Sequence, residues 1–147
     1  MKIYKAIKNY KLILFALVAF ILIGCNKITA PREETPTDVL RKFVEATQKK
    51  DVETLKQTLS SGTLQMIQAS AQKENISLDE ALKRDDGTLR DMPETRSEII
   101  EGDTASLEVK NGATADWDKI PFVREEGKWK IALDKFMQEL MKKYTNK

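Results

Sequence analysis

Thr104-Ala105-Ser106-Leu107-Glu108-Val109-Lys110 alternates apolar and polar side chains without a fault. Ala105, Leu107 and Val109 fall on one side, Ser106, Glu108 and Lys110 on the other. Period-two alternation is the mark of a strand with one buried face, and a helix would scatter these residues around its axis. Gly102-Asp103 before the run and Asn111-Gly112 after it supply turn residues. A strand is expected at 97–101 carrying Ile99, another at 116–124 with Trp117, Ile120 and Phe122, and a third at 128–133 with Trp129, Ile131 and Leu133 inward and Ala132 outward. Glu125-Glu126-Gly127 reads as the hairpin turn between the last two. Pro121 lacks a backbone donor, which predicts an edge strand or a bulge at that point.

Upstream of this meander the period is helical. Thr35-Pro36 is a start signal, with proline early in the first turn. Val39, Leu40, Phe43, Val44 and Thr47 then recur at helical spacing. Asp51 is placed to cap a second helix with Val52, Leu55 and Leu59 inward, and Ser60-Ser61-Gly62 is expected to end it. Leu64, Ile67 and Ala71 mark a third helix, with Met66 and Ser70 beside them, and Ser77 precedes a short fourth through Leu78, Ala81 and Leu82. Asp85-Asp86-Gly87 and Met92-Pro93 mark loops. A last helix is expected through Phe136, Met137, Leu140, Met141 and Tyr144. Helices followed by an antiparallel meander and a closing helix give an α+β class, helices packed on one face of a curved sheet.

The 147-residue chain has one cysteine and no histidine, which excludes an intramolecular disulfide and any Cys/His metal site. Its formal charge of +2 is unevenly spread. Residues 1–24 carry Lys2, Lys5, Lys8 and Lys11 and no acid, so the remainder holds 21 basic and 23 acidic side chains. A slightly acidic domain offers nothing to a phosphate backbone, and no nucleic-acid partner is expected.

Residues 12–23 are twelve consecutive apolar residues behind that basic segment. As a helix they rise about 18 Å, against a hydrocarbon core of about 30 Å. The length suits the apolar region of a signal peptide better than a permanent span. Leu22-Ile23-Gly24-Cys25 then resembles the bacterial lipobox. The resemblance implies cleavage between Gly24 and Cys25, a diacylglycerol thioether on the Cys25 sulfur, and an acyl chain such as palmitate on the new amino group. Two or three acyl chains, at about 0.8 kcal/mol per buried CH₂, anchor a protein firmly. The organisation expected is a signal peptide over 1–24, a lipidated Cys25 with a polar tether over 25–35, and a domain over 36–147. Ten tether residues reach at most about 35 Å, which keeps the domain near a bilayer. Asn26, in place of aspartate, favours the outer membrane in a two-membrane cell; otherwise the outer face of the cytoplasmic membrane is expected.

Thr35-Pro36-Thr37-Asp38-Val39-Leu40-Arg41-Lys42-Phe43 with Lys50-Asp51-Val52-Glu53 resembles the first helix pair of nuclear-transport-factor-2-like domains of the cystatin-like superfamily. Ile120-Pro121-Phe122-Val123-Arg124-Glu125-Glu126-Gly127-Lys128-Trp129-Lys130-Ile131 resembles their closing hairpin. The resemblance covers roughly residues 35–134 and implies a cone-like fold with an open cavity, in a superfamily of both enzymes and binding modules. Its enzymes use a cavity Asp or His with a Tyr or second acid as donor. Here histidine is absent, Tyr4 and Tyr10 lie in the signal segment, and Tyr144 lies past the common core. Asp103 reads as turn chemistry, and Asp116 and Asp118, flanking Trp117, read as facing water. Ser60, Ser61, Ser70 and Ser106 have no histidine partner. Asp85-Asp86-Gly87 with Asp91 lacks the spacing of a calcium loop. No catalytic residue, metal or cofactor is therefore assigned. The expected role is a non-enzymatic module of the cell envelope that binds an apolar small molecule or an envelope protein, with Trp117, Phe122 and Trp129 as contacts. An envelope enzyme of isomerase or hydrolase type using a cavity carboxylate, and a structural homodimer, are the alternatives.

Overall fold

Every helix before the sheet begins on a side chain that satisfies its free N–H groups. In the computed structural model, which describes residues 32–84 and 91–145, α1 spans Pro36–Lys49, α2 Val52–Thr58, α3 Ser61–Lys73 and α4 Leu78–Lys83. The expected signal segment, Cys25 and the expected loop from Asp85 through Gly87 lie outside the described residues, as do the side chains of Leu140 and Tyr144. Thr35 and Asp38 form a reciprocal capping box on α1, with Asp38 N–H donating to Thr35 Oγ1 and Thr35 N–H donating to Asp38 Oδ2. Asp51, Ser60 and Ser77 accept from Thr54, Thr63 and Glu80 N–H at the starts of α2, α3 and α4.

Ser60 corrects the expected break. Ser60-Ser61-Gly62 does not terminate α2; Ser60 caps α3, and Ser61 and Gly62 form its first turn. The break falls one residue earlier, at Leu59, whose extended backbone forms a parallel bridge to Ile131.

The sheet is β1 (Thr95–Glu101), β2 (Thr104–Lys110), β3 (Trp117–Glu125) and β4 (Lys128–Ile131), antiparallel throughout and in chain order. Glu126 and Gly127 both take positive φ between the paired residues Glu125 and Lys128. That is the turn geometry whose twist matches a hairpin. Ala105, Leu107 and Val109 are buried as the alternation requires, and meet Val39, Leu40 and Val44 of α1 with Phe122, Trp129 and Ile131 in one core. The α+β order of helices, four-stranded antiparallel sheet and C-terminal helix, α5 (Leu133–Thr145), agrees with the sequence reading.

Three strand details differ. β1 starts at Thr95 and carries a bulge, with the register shifting between Arg96 and Ile99 and Ser97 at φ 52°. The bulge delivers Glu98 to the start of α1, where its carboxylate accepts from Thr37 N–H at 2.9 Å and Thr37 Oγ1 at 2.5 Å. Pro121 occupies an inner strand, in continuous register with β2, rather than an edge or bulge. Its carbonyl accepts from Ala132 N–H on the β4 side. In extended chain a residue's N–H and C=O point the same way, so the donor that proline lacks faces the place where β4 stops. Finally, β4 ends at Ile131; Ala132 is wholly buried rather than outward, and Leu133 opens α5.

A buried polar knot fixes the start of α5. Asp134 Oδ1 lies 3.1 Å from both Ser60 Oγ and Thr63 Oγ1, and Thr63 Oγ1 also reaches the Ile131 carbonyl at 3.2 Å. A Cβ on Gly62 would stand 2.5 Å from Asp134 Oδ2, so only glycine permits this approach. All the caps and the whole core lie within the compact unit Glu34–Lys147, which therefore carries what it needs to fold by itself. Thr63→Val, nearly isosteric but without the hydroxyl, is expected to cost about 1–3 kcal/mol in urea unfolding, and Thr63→Ser much less.

Candidate functional site

Among the clefts that open on the described surface, one is predominantly apolar. Leu40 and Phe43 of α1, Val109 of β2, Ile120 of β3 and Leu133 and Phe136 around the start of α5 line a cleft of about 330 Å³. Helical spacing puts Leu40, Phe43 and Thr47 on one face of α1, and strand parity puts Val109 and Ile120 beneath them. The volume is at the small end of the range of ligand pockets.

One end of this cleft is polar. Asp118 pairs with Val109 across the β2–β3 ladder, on the core side of the sheet, and lines the cleft with Asn111. Asn111 Nδ2 donates to Asp118 Oδ2 at 2.8 Å, while Asn111 Oδ1 accepts from the N–H groups of Ala113 and Thr114. Those two backbone donors fix which end of the amide faces the carboxylate. Asp116 is exposed, as expected, but Asp118 is only half-exposed and points inward. Phe122 and Ile120 face the core, and Asp118 shares their parity whereas Trp117 does not. Grouping Trp117 with Ile120 and Phe122 in the sequence concealed the one aspartate on the cleft.

The three expected contact residues do not share a site. Trp117 lies on the opposite sheet face, under the Arg96 guanidinium at 3.9 Å from its ring centre. Phe122 is sealed in the core at 1% exposure. Trp129 is buried beneath Arg124, 4.5 Å from its ring, and borders a second, charge-rimmed cleft of about 370 Å³ with Lys42, Glu45 and Lys49. A third groove of about 410 Å³ crosses the other sheet face over Ile99, Pro121 and Val123. Among the aspartates and serines weighed from sequence, Asp103 stays in its exposed turn, 4.0 Å from Arg124. Ser60 is held in the polar knot, and Ser61 donates to Glu125. No group of three or more Cys, Asp or Glu side chains is arranged to hold a metal among the described residues. Nor is any helix there long and apolar enough to cross a membrane. No protein-family model, curated protein or solved structure matches this chain.

The sheet face bearing Trp117 is organised by charge. Arg96 Nε donates to Glu108 at 2.7 Å while its guanidinium stacks on the indole. That hydrogen bond is the main reason the Glu108 carboxyl is held below its ordinary value. A carboxylate lowered in the folded state stabilises the fold above its unfolded value, and the contribution disappears as pH falls through the lowered one. Glu108→Gln is therefore expected to flatten the acid limb of the stability profile while leaving neutral pH less stable. Arg96→Ala should shift Trp117 fluorescence to the red, with Trp129 as the buried internal reference.

Proposed function

We propose that this protein is an exported lipoprotein, lipid-anchored through Cys25, whose domain is a binding module of the cell envelope with the α1–β3–α5 cleft as its ligand site. The anchor rests on Leu22-Ile23-Gly24-Cys25 following a basic and then an apolar segment. The site rests on a cleft whose apolar walls come from five elements and whose polar groups gather at one end, the usual arrangement of a small-molecule pocket. The resemblance to nuclear-transport-factor-2-like domains, which carry a cavity between helix and sheet, supports the same placement. Aromatic stacking plays little part in this reading, because both tryptophans lie outside the cleft.

One observation favours the second reading, an envelope enzyme using a cavity carboxylate: Asp118 lines the cleft. Its Oδ2 accepts from the fixed Asn111 amide, which sets the carboxyl group as an acceptor at the polar end of the cleft. A turnover mechanism would need a partner acid, and among the described residues Asp118 is the one acidic side chain lining the cleft.

Cys25→Ser is expected to abolish incorporation of labelled palmitate and detergent-phase partitioning; membrane association that survives would mean an uncleaved helix instead. Native mass spectrometry of residues 26–147, purified without detergent, is expected to show a bound small molecule that is lost when Ile120→Trp fills the cleft. A strictly monomeric, ligand-free species would refute the binding role.

A further inference from the structure

We infer that the cleft selects an amphipathic cation, an alkyl or aryl chain bearing a protonated amine, with the ammonium against Asp118 and the chain between Phe43, Ile120 and Phe136. The inference rests on the cleft being the ligand site and adds the chemistry of what enters it. Three observations carry it.

First, Asp118 is the one acid on the lining, and no ion pair to it occurs among the described residues; its one hydrogen-bond donor there is the neutral amide of Asn111. Second, Lys110, the one cation on the lining among the described residues, is committed elsewhere. Its Nζ donates to Glu94 at 2.9 Å, and the neighbouring backbone N–H of Lys110 donates to the Glu94 carbonyl, which holds the pair together. Third, apart from Gly112 and Thr47, whose hydroxyl donates to the Phe43 carbonyl, the remaining walls are aliphatic or phenyl. A carboxylate beside apolar walls is stabilised by a charged donor far more than by a neutral one, because low local polarity strengthens the attraction. A fatty carboxylate would instead set like charges together. A neutral alcohol offers a single donor without charge. An ammonium supplies both charge and several donors, while the chain removes the apolar walls from water.

The amide relay sharpens this geometry. Asn111 Oδ1 is engaged by Ala113 and Thr114 N–H, so Nδ2 always points to Asp118 and holds Oδ2. The other carboxylate oxygen, Oδ1, is left to meet the ligand. Asn111 is thus a positioning residue for Asp118.

Isothermal titration of residues 26–147 with n-octylamine, 1-octanol and octanoate at pH 7 and low salt tests the inference. Octylamine should bind roughly tenfold tighter than octanol, with octanoate weakest. Asp118→Asn, close to isosteric, should erase the amine preference, with octylamine losing far more affinity than octanol. Asn111→Ala should reduce that preference without removing it, and added salt should weaken octylamine alone. Equal affinity for amine and alcohol, tighter binding of octanoate, or an amine preference that survives Asp118→Asn would overturn the inference while leaving an apolar binding cleft. Failure of all three probes to bind would overturn the cleft as a ligand site, and this inference with it.

Discussion

The apolar stripe of α1 laid on the inner face of β2 is the contact on which the rest of the domain depends. Val39, Leu40 and Val44 are at most 2% exposed, and so is Leu107 beneath them. A fully buried aliphatic side chain contributes about 1.5–3 kcal/mol, so a handful of them outweighs any surface ion pair in this molecule. The position of α1 on the sheet is reinforced at its start, where the β1 bulge turns Glu98 onto Thr37. A bulge that would otherwise be only an edge defect thereby ties the outermost strand to the central helix. It also interrupts the regular edge that a flat strand would present to other chains.

The short length of β4 is the second constraint, and three features follow from it. Pro121 can occupy an inner strand because no partner faces its nitrogen beyond Ile131. Ala132, donating to Pro121, is buried where a continued alternation would have turned it to water. The chain then turns at once into α5, which packs on β3 and α3. Asp134, in the first turn of α5, closes the junction by meeting Ser60 and Thr63, and Gly62 leaves room for it. The apolar cleft is a product of this arrangement: the early start of α5 brings Leu133 and Phe136 to the cleft that Leu40 and Phe43 of α1 also line, and Ile120 stays half-buried there.

Local signals with a direct physical cause were legible in the sequence. Caps at Thr35, Asp51 and Ser77, the alternation of β2 and the Glu126-Gly127 turn all depend on near neighbours. What was not legible depends on partners far along the chain. Ser60 looked like part of a helix break because Ser-Ser-Gly is common in loops, yet with Thr63 it makes a cap whose second function is to meet Asp134, 74 residues away. Pro121 looked like an edge residue because the sequence does not say where its partner strand ends. Trp117 groups with Ile120 and Phe122, and reads as a ligand contact, because large aromatics usually face inward; counting parity from Phe122 places it outside and Asp118 inside. The lipobox resemblance at Leu22–Cys25 is also a local pattern, and it belongs to residues outside those described.

The fate of the aromatic side chains decides what kind of recognition remains. Each tryptophan is covered by an arginine, Trp117 by Arg96 and Trp129 by Arg124, and cation–π contacts of this sort occupy the ring face that a planar ligand would need. Phe122 is spent on the core. The cleft is left with aliphatic walls, two phenyl rings and one oriented carboxylate. Aliphatic walls reward length with little regard to shape, at about 0.8 kcal/mol for each methylene buried. A tenfold preference between head groups corresponds to about 1.4 kcal/mol, the equivalent of roughly two methylenes. In a cleft this small the chain cannot lengthen indefinitely to offset the wrong head group. On the proposed selection of an amine, discrimination falls on Asp118, and the Asn111 side chain that holds it gives the turn between β2 and β3 a role beyond connecting strands.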